Sequence, residues 1–192
     1  MSHNYLSIIT AIIYILLLFM LSFGIVVFVG PIHSPFVSLE HRSDDRAVTS
    51  FLISGNEELL SNFTSNEQSH LVDVKHLINK GIIVTVILLA LCISLLIKLN
   101  KVQRIAVVSA PFFSIYVLSG LTIVLIRKFE SSFIVFHNIF FPQGNYTFPY
   151  DSLLIQTYPE IFFLSMTVIA GIFFILLSVA AISIIKKNSR VK

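Results

Sequence analysis

The sequence predicts an all-α membrane protein: four transmembrane helices with a small extracellular cap made from the two outside segments. Three observations predict it. Of 192 residues, 56% are hydrophobic and only 12% are charged, whereas soluble domains are about 45–50% apolar and about 25% charged. Four apolar runs, near 5–30, 81–98, 105–126 and 160–185, approach the roughly 20 residues that a bilayer requires. Two polar segments, 31–80 and 127–159, separate them, and the basic residues flank the runs. A single membrane domain over 1–192 is expected.

The first run, Tyr5 to Val29, ends at Gly30-Pro31. It is too long for a signal-peptide core and lacks a basic leader and a small-residue cleavage site, so it reads as a retained helix. The segment 31–64 holds Pro31, Pro35 and the cluster Glu40-His41-Arg42-Ser43-Asp44-Asp45-Arg46, which exclude burial in hydrocarbon. Val48 to Ile53 is a short apolar patch, Ser54-Gly55-Asn56 a turn, and Glu57-Glu58-Leu59-Leu60 a short amphipathic helix. A new helix begins near Ser65, where Ser65-Asn66-Glu67-Gln68 fits a capping box. If it runs unbroken through Ile97, residues 65–98 reach about 51 Å at roughly 1.5 Å per residue. A hydrocarbon core is about 30 Å thick, so His70 is expected at or above the interface.

Lys98 to Arg104 is a short loop with three basic residues and no acid. Ile105 to Ile126 follows, with Pro111 as a candidate kink. The segment 131–158 contains Phe136-His137-Asn138-Ile139-Phe140-Phe141-Pro142, then Gln143-Gly144-Asn145-Tyr146, and ends in a weakly amphipathic stretch, Ser152 to Tyr158. Ile161 to Ile185 is the fourth run, and the tail from Lys186 carries four basic residues and no acid. Positively charged flanks mark the cytoplasmic side. The 98–104 loop and both termini are therefore expected to be cytoplasmic, and both polar segments outside.

Several function classes fall away. The net charge of +3 comes from the flanks rather than from a basic stripe interleaved with aromatics, so nucleic acid is not an expected partner. Cys92 stands alone in the second run, where an intrachain disulfide is impossible and a thiolate is disfavoured. No Gly-x-Ser-x-Gly elbow exists, and Ser69, Ser131 and Ser132 are free-standing. The runs hold almost no ionisable residue at mid-depth, where an ion or proton pathway would show itself.

What remains is histidine and carboxylate at the outside segments. His137 reads either as an interfacial anchor or as a general acid or base, with Phe133, Phe136, Phe140 and Phe141 as a wall against water. His70 and Asp73 lie three apart on one helix face, which suits either a solvated ion pair or a carboxylate orienting an imidazole. His76 has the same spacing to Asp73, so spacing alone does not choose between them. His70, Asp73, His76 and His137 have donor atoms suited to zinc, but HExxH and tight His-x-His spacings are missing. No metal and no cofactor are expected.

Two segments carry a resemblance. Glu67-x-x-His70-Leu71-x-Asp73-Val74-Lys75 is the first. The second is Phe136-His137-x-Ile139-Phe140-Phe141 with Gly144-Asn145-Tyr146 and Tyr158-Pro159-x-x-Phe162-Phe163. Together they resemble the small four-span lipoprotein intramolecular transacylases (Lit) of Gram-positive bacteria, in length, span number and placement of both motifs. The segment 31–64 matches nothing, and Tyr146 stands where the family often has Trp.

The resemblance implies an acyltransferase of the bacterial cell membrane, with its site at the extracellular face. The implied substrate is a diacylated lipoprotein, within membrane lipid, whose N-terminal cysteine carries a diacylglyceryl thioether and a free amine. The sn-2 acyl chain would move to that amine, giving the N-acyl, S-monoacylglyceryl lyso form. The family's two histidines fall on His70 and His137. Beside them, Asp73, Asn138, Asn145 and Tyr146 are candidates to orient a ring or hold an oxyanion, and the four phenylalanines would form an acyl pocket. The competing reading is a non-enzymatic membrane sensor or assembly factor that binds a partner through the cap.

Overall fold

The computed structural model describes residues 3–112 and 128–190. Every regular element in that range is helical: α1 (His3–Phe28), α2 (Gly30–His33), α3 (Arg42–Ser54), α4 (Ser65–Lys98), α5 (helical over 101–112), α6 (Phe129–Phe140), α7 (Leu153–Thr157) and α8 (Glu160–Arg190). Short 3-10 turns occupy Ser34–Phe36 and Glu57–Leu60.

Among the described residues, three helices are long and apolar enough to cross a membrane, within Tyr5–Phe28, Ser65–Lys98 and Glu160–Ile184. In α4, Glu67, Asp73, Lys75 and Lys80 occupy the first half, so its apolar spanning window is limited to 81–98. Ile83, Val86, Ile87 and Ile93 of that window are exposed. So much apolar surface on one helix is explained by lipid as the solvent. This is a multi-pass membrane protein. Most of the third expected span, 105–126, lies outside the described residues, from 113 onward.

The chain divides into two compact units. One comprises 1–25, 81–123 and 169–192. Its core joins Tyr14, Leu17 and Leu18 of α1, Cys92 of α4, Leu99, Val107 and Val108 of α5, and Phe174 of α8. Cys92 is buried there and packs as a small hydrophobe. The turn from α4 to α5 caps both helices. Asn100 and Gln103 exchange side-chain to backbone hydrogen bonds at 3.0 Å, a reciprocal N-terminal cap. Arg104 donates to the carbonyls of Leu99 and Ile97, a cation at the negative end of α4.

The second unit comprises 26–80 and 124–168. Its core is Val48 and Phe51 of α3, Leu60, Phe63, Leu71 of α4 and Leu154 of α7. From Arg42 on, the charged cluster forms the first turn of α3, where Asp44 and Asp45 suit the helix N-terminus. Gly55 ends α3 in the left-handed region at φ 82°, where a side chain would be strained. Lys75 of α4 reaches across and donates to the carbonyls of Phe51 (3.1 Å) and Leu52 (2.6 Å) at that end.

The capping box of α4 sits one residue earlier than expected. Thr64, not Ser65, is the cap, and Glu67, not Gln68, reaches back to the Thr64 amide at 2.7 Å. Glu67 does more than cap. It is only 1% exposed, and its other oxygen accepts the Leu154 amide of α7 at 2.8 Å. Gln68 instead donates to the carbonyls of Leu60 and Phe63. Elsewhere in this unit, His33, Asp45 and Tyr158 form a buried polar cluster. His33 Nε2 lies 3.2 Å from Asp45, and the Tyr158 hydroxyl donates to the same oxygen at 2.9 Å.

Candidate active site

The second unit brings His70 and His137 together. His70 is in the second turn of α4, and the capping network through Thr64 and Glu67 sets where that turn stands. His137 is in the last turn of α6, a helix whose N-terminal residue, Lys128, gives it no side-chain cap. The two imidazoles are stacked, 6.0 Å between ring centroids and 29° between planes. Both are buried, at 7% and 8% exposure. His76, the alternative partner of Asp73 by spacing, is exposed.

Aromatic rings surround the pair. Phe141, 2% exposed, touches both, at 4.8 Å from His70 and 5.4 Å from His137. Phe133 lies 3.8 Å and Phe136 5.4 Å from His137. Tyr146 stacks at 4.9 Å on His137. Phe148, which the sequence reading missed, lies edge-on to His70 at 5.6 Å. Phe140 packs on Phe136, one ring removed from the imidazoles. The only sequence signal for Phe148 is its place in the aromatic stretch after Gly144-Asn145-Tyr146.

Ring orientation follows from hydrogen bonds. His137 Nδ1 lies 2.8 Å from the Phe133 carbonyl oxygen. A carbonyl only accepts, so Nδ1 carries the proton and a neutral His137 presents Nε2 with its lone pair free. Asp73 makes its hydrogen bonds away from His70. Its Oδ2 accepts from Gln143 Nε2 at 2.7 Å and from Asn145 Nδ2 at 2.6 Å. Asn145 Nδ2 also lies 3.3 Å from Ser69 Oγ. Tyr146 donates to Asn138 Oδ1 at 2.5 Å.

Burial sets the charge state. It pushes His70 down to about 4, with the neighbouring His137 adding to the fall and Asn145 and Asp73 opposing it. Burial also lowers His137, and the Phe133 carbonyl opposes that. At neutral pH the site therefore holds two neutral imidazoles in an aromatic enclosure, a proton-accepting arrangement. Among the described residues, no group of three or more His, Cys, Asp or Glu is placed to hold a metal.

The sequence matches the family of lipoprotein intramolecular transacylase Lit over residues 8–163. No curated protein sequence matches it. In three dimensions the chain is similar to the membrane integral lipoprotein intramolecular transacylase Lit from Bacillus cereus. The TM-score is 0.80 at 18% identity, over 99% of this chain and 98% of that one. At that identity the likeness speaks for the fold, and the family rests on the sequence match, which covers well over half of the chain: this protein belongs to the lipoprotein intramolecular transacylase Lit family.

Proposed function

We propose that this protein moves the sn-2 acyl chain of a diacylglyceryl lipoprotein to the α-amine of its own N-terminal cysteine, with His70 and His137 as proton carriers. One observation carries the reading. Two buried neutral imidazoles, far apart in sequence, are stacked at 6.0 Å within one aromatic enclosure. Donor ester and acceptor amine belong to one substrate molecule, so no nucleophilic side chain is required. Holding the two in contact can supply roughly 7–11 kcal/mol of the barrier. Proton transfer by a placed histidine adds about 10²–10⁴-fold.

The proton balance assigns roles. The substrate ammonium first gives a proton to His137 Nε2, the nitrogen left free because Nδ1–H is held by the Phe133 carbonyl. The amine lone pair then attacks the ester carbonyl, forming the C–N bond. His70 Nε2 takes a second proton from that nitrogen. The C–O bond to glycerol breaks as protonated His137 delivers its proton to the leaving oxygen. His70 returns its proton to solvent, so one proton is released per turnover. The products are an amide and a glycerol hydroxyl.

The oxyanion needs a donor that is not already committed. Asn145 spends its amide on Asp73 and Ser69, and Tyr146 spends its hydroxyl on Asn138. That leaves the Asn138 amide as the donor to the oxyanion. Phe133, Phe136, Phe140, Phe141 and Phe148 hold acyl chain and exclude water, which would otherwise hydrolyse the ester. The basic flanks of the apolar runs support cytoplasmic termini and a site at the outer face.

The test is co-expression with a diacylated lipoprotein and mass measurement of its N-terminal lipopeptide. The native chain should yield the N-acyl lyso form. His70→Ala and His137→Ala variants that insert and fold should leave the diacylglyceryl form unchanged. Full activity in both variants would remove the assignment, and an unchanged substrate with the native chain would point to a non-catalytic binding protein.

A further inference from the structure

We propose that Asn145 is a positioning residue that fixes the tautomer of His70, keeping the proton on Nδ1 and the lone pair of Nε2 toward the substrate. The logic starts at Asp73. A carboxylate only accepts, so the Asn145 group 2.6 Å from Asp73 Oδ2 must be its NH₂. The amide carbonyl oxygen, Oδ1, then points the opposite way. It is buried and has no hydrogen bond of good geometry, and His70 Nδ1 is likewise buried and unpartnered. Asn145 is tied to α4 on either side of His70, at Ser69 and at Asp73, and we take these two unpartnered buried atoms to face each other. An amide oxygen facing Nδ1 is repelled by a lone pair and attracted by an N–H. Asp73 thus sets the direction of Asn145, and Asn145 sets the proton of His70.

This assigns Asn145 to orientation and removes it from the oxyanion candidates. Both histidines then follow one rule, each with an oxygen at Nδ1 and Nε2 free: the Phe133 carbonyl for His137, the Asn145 amide for His70. The tautomer assignment rests on the placement of Asn145 and does not require the transacylase reading. Its catalytic consequence rests on the transacylase reading above.

The experiment uses the full chain in detergent with ¹⁵N-labelled histidine, and reads the two ring nitrogens of His70 at pH 7 by NMR. The native protein should show a protonated Nδ1 and an unprotonated Nε2. In Asn145→Leu, similar in size but without an amide, the His70 population should move toward the Nε2–H tautomer. Asn145→Gln should retain the native signature, because it keeps both an NH₂ for Asp73 and a carbonyl oxygen for Nδ1. In the lipopeptide assay, Asn145→Leu should lose roughly 10–100-fold in kcat with KM little changed, and Asn145→Gln should keep most of it. A proton on Nε2 in the native chain, or an unchanged tautomer in Asn145→Leu, would overturn the proposal. A native chain that makes no N-acyl product would overturn the transacylase reading instead and leave the tautomer result standing.

Discussion

The Tyr158 hydroxyl donates to Asp45 Oδ1 at 2.9 Å, on the oxygen that also faces His33. Burial and the Asp45 charge push the phenol well above its ordinary range, so it remains a donor at any working pH. Tyr158→Phe removes one of two partners from a carboxylate only 4% exposed. The expected loss is about 1–3 kcal/mol. Thermal unfolding in detergent micelles should show it as a drop of about 2–4 °C per kcal/mol.

The same cluster predicts a pH dependence. The hydrogen bond to Asp45, partly offset by burial, raises His33 above its ordinary value. The folded chain therefore holds this proton more tightly than the unfolded chain. Its contribution is complete below about 6.5 and is lost as pH climbs through the raised folded value. Comparing melting temperatures at pH 6 and pH 8.5 should show a smaller alkaline drop in His33→Gln than in the native chain.

His70 and His137 act in the opposite sense. Both are lowered, so below about 6.5 the unfolded chain takes up protons before the folded one does. Acid should destabilise the fold progressively down to about pH 4, where His70 itself titrates. His137→Ala removes the like charge that adds to the depression, so the His70 midpoint should rise toward the ordinary value. An NMR titration of His70 in that variant measures this, and an unmoved midpoint would show that the two rings are not electrostatically coupled.

In the proposed reaction Phe141 would separate transfer to the amine from hydrolysis of the ester. It lies against both imidazoles and is buried. Phe141→Leu should keep the core filled while loosening the enclosure. Transfer to the amine should fall by about 10²-fold, the cost of misplacing reacting groups by about an ångström. Free fatty acid and lysoglyceryl product without N-acylation should appear in its place. The ratio of N-acylated to non-acylated lyso lipopeptide by mass spectrometry checks this.

Glu67 ties the start of α4 to the start of α7 through three accepted hydrogen bonds. Glu67→Ala leaves the Leu154 amide without its partner, with an expected loss of about 1.5–3 kcal/mol for each charge-assisted bond removed. Amide exchange at Leu154 should rise first, since that donor has the longest sequence reach to its acceptor.

The long apolar runs made the fold class legible. Tyr5–Val29 and Ile161–Ile185 correspond to α1 and α8 to within a few residues, apart from the continuation of α8 to Arg190. Residue chemistry singled out His70 and His137, but periodicity could not prefer His70 over His76. Burial against a second segment separates those two, and no local pattern encodes it. The cap of α4 was misplaced by one residue because Thr64-Ser65 and Glu67-Gln68 are adjacent pairs of equally capable types. α6 was not foreseen as a helix, since Phe129–Phe140 starts without a side-chain cap to mark it. Gln143 was given no role. Its bond to Asp73 joins residues 70 apart, which spacing rules do not reach.

One stretch of α4 carries Glu67, His70, Asp73 and Lys75, each engaged with a different neighbour: Leu154, the His137 ring, the Gln143–Asn145 turn and the end of α3. A helix advances about 100° per residue. Inserting or deleting a single residue between Glu67 and Lys75 would turn some of these side chains by that angle relative to the others and sever several attachments at once. Point substitutions can be absorbed one at a time, but a change of length here cannot. Across homologous genomes, insertions and deletions should therefore gather in the connections 37–41 and 99–100 and be missing from 67–75.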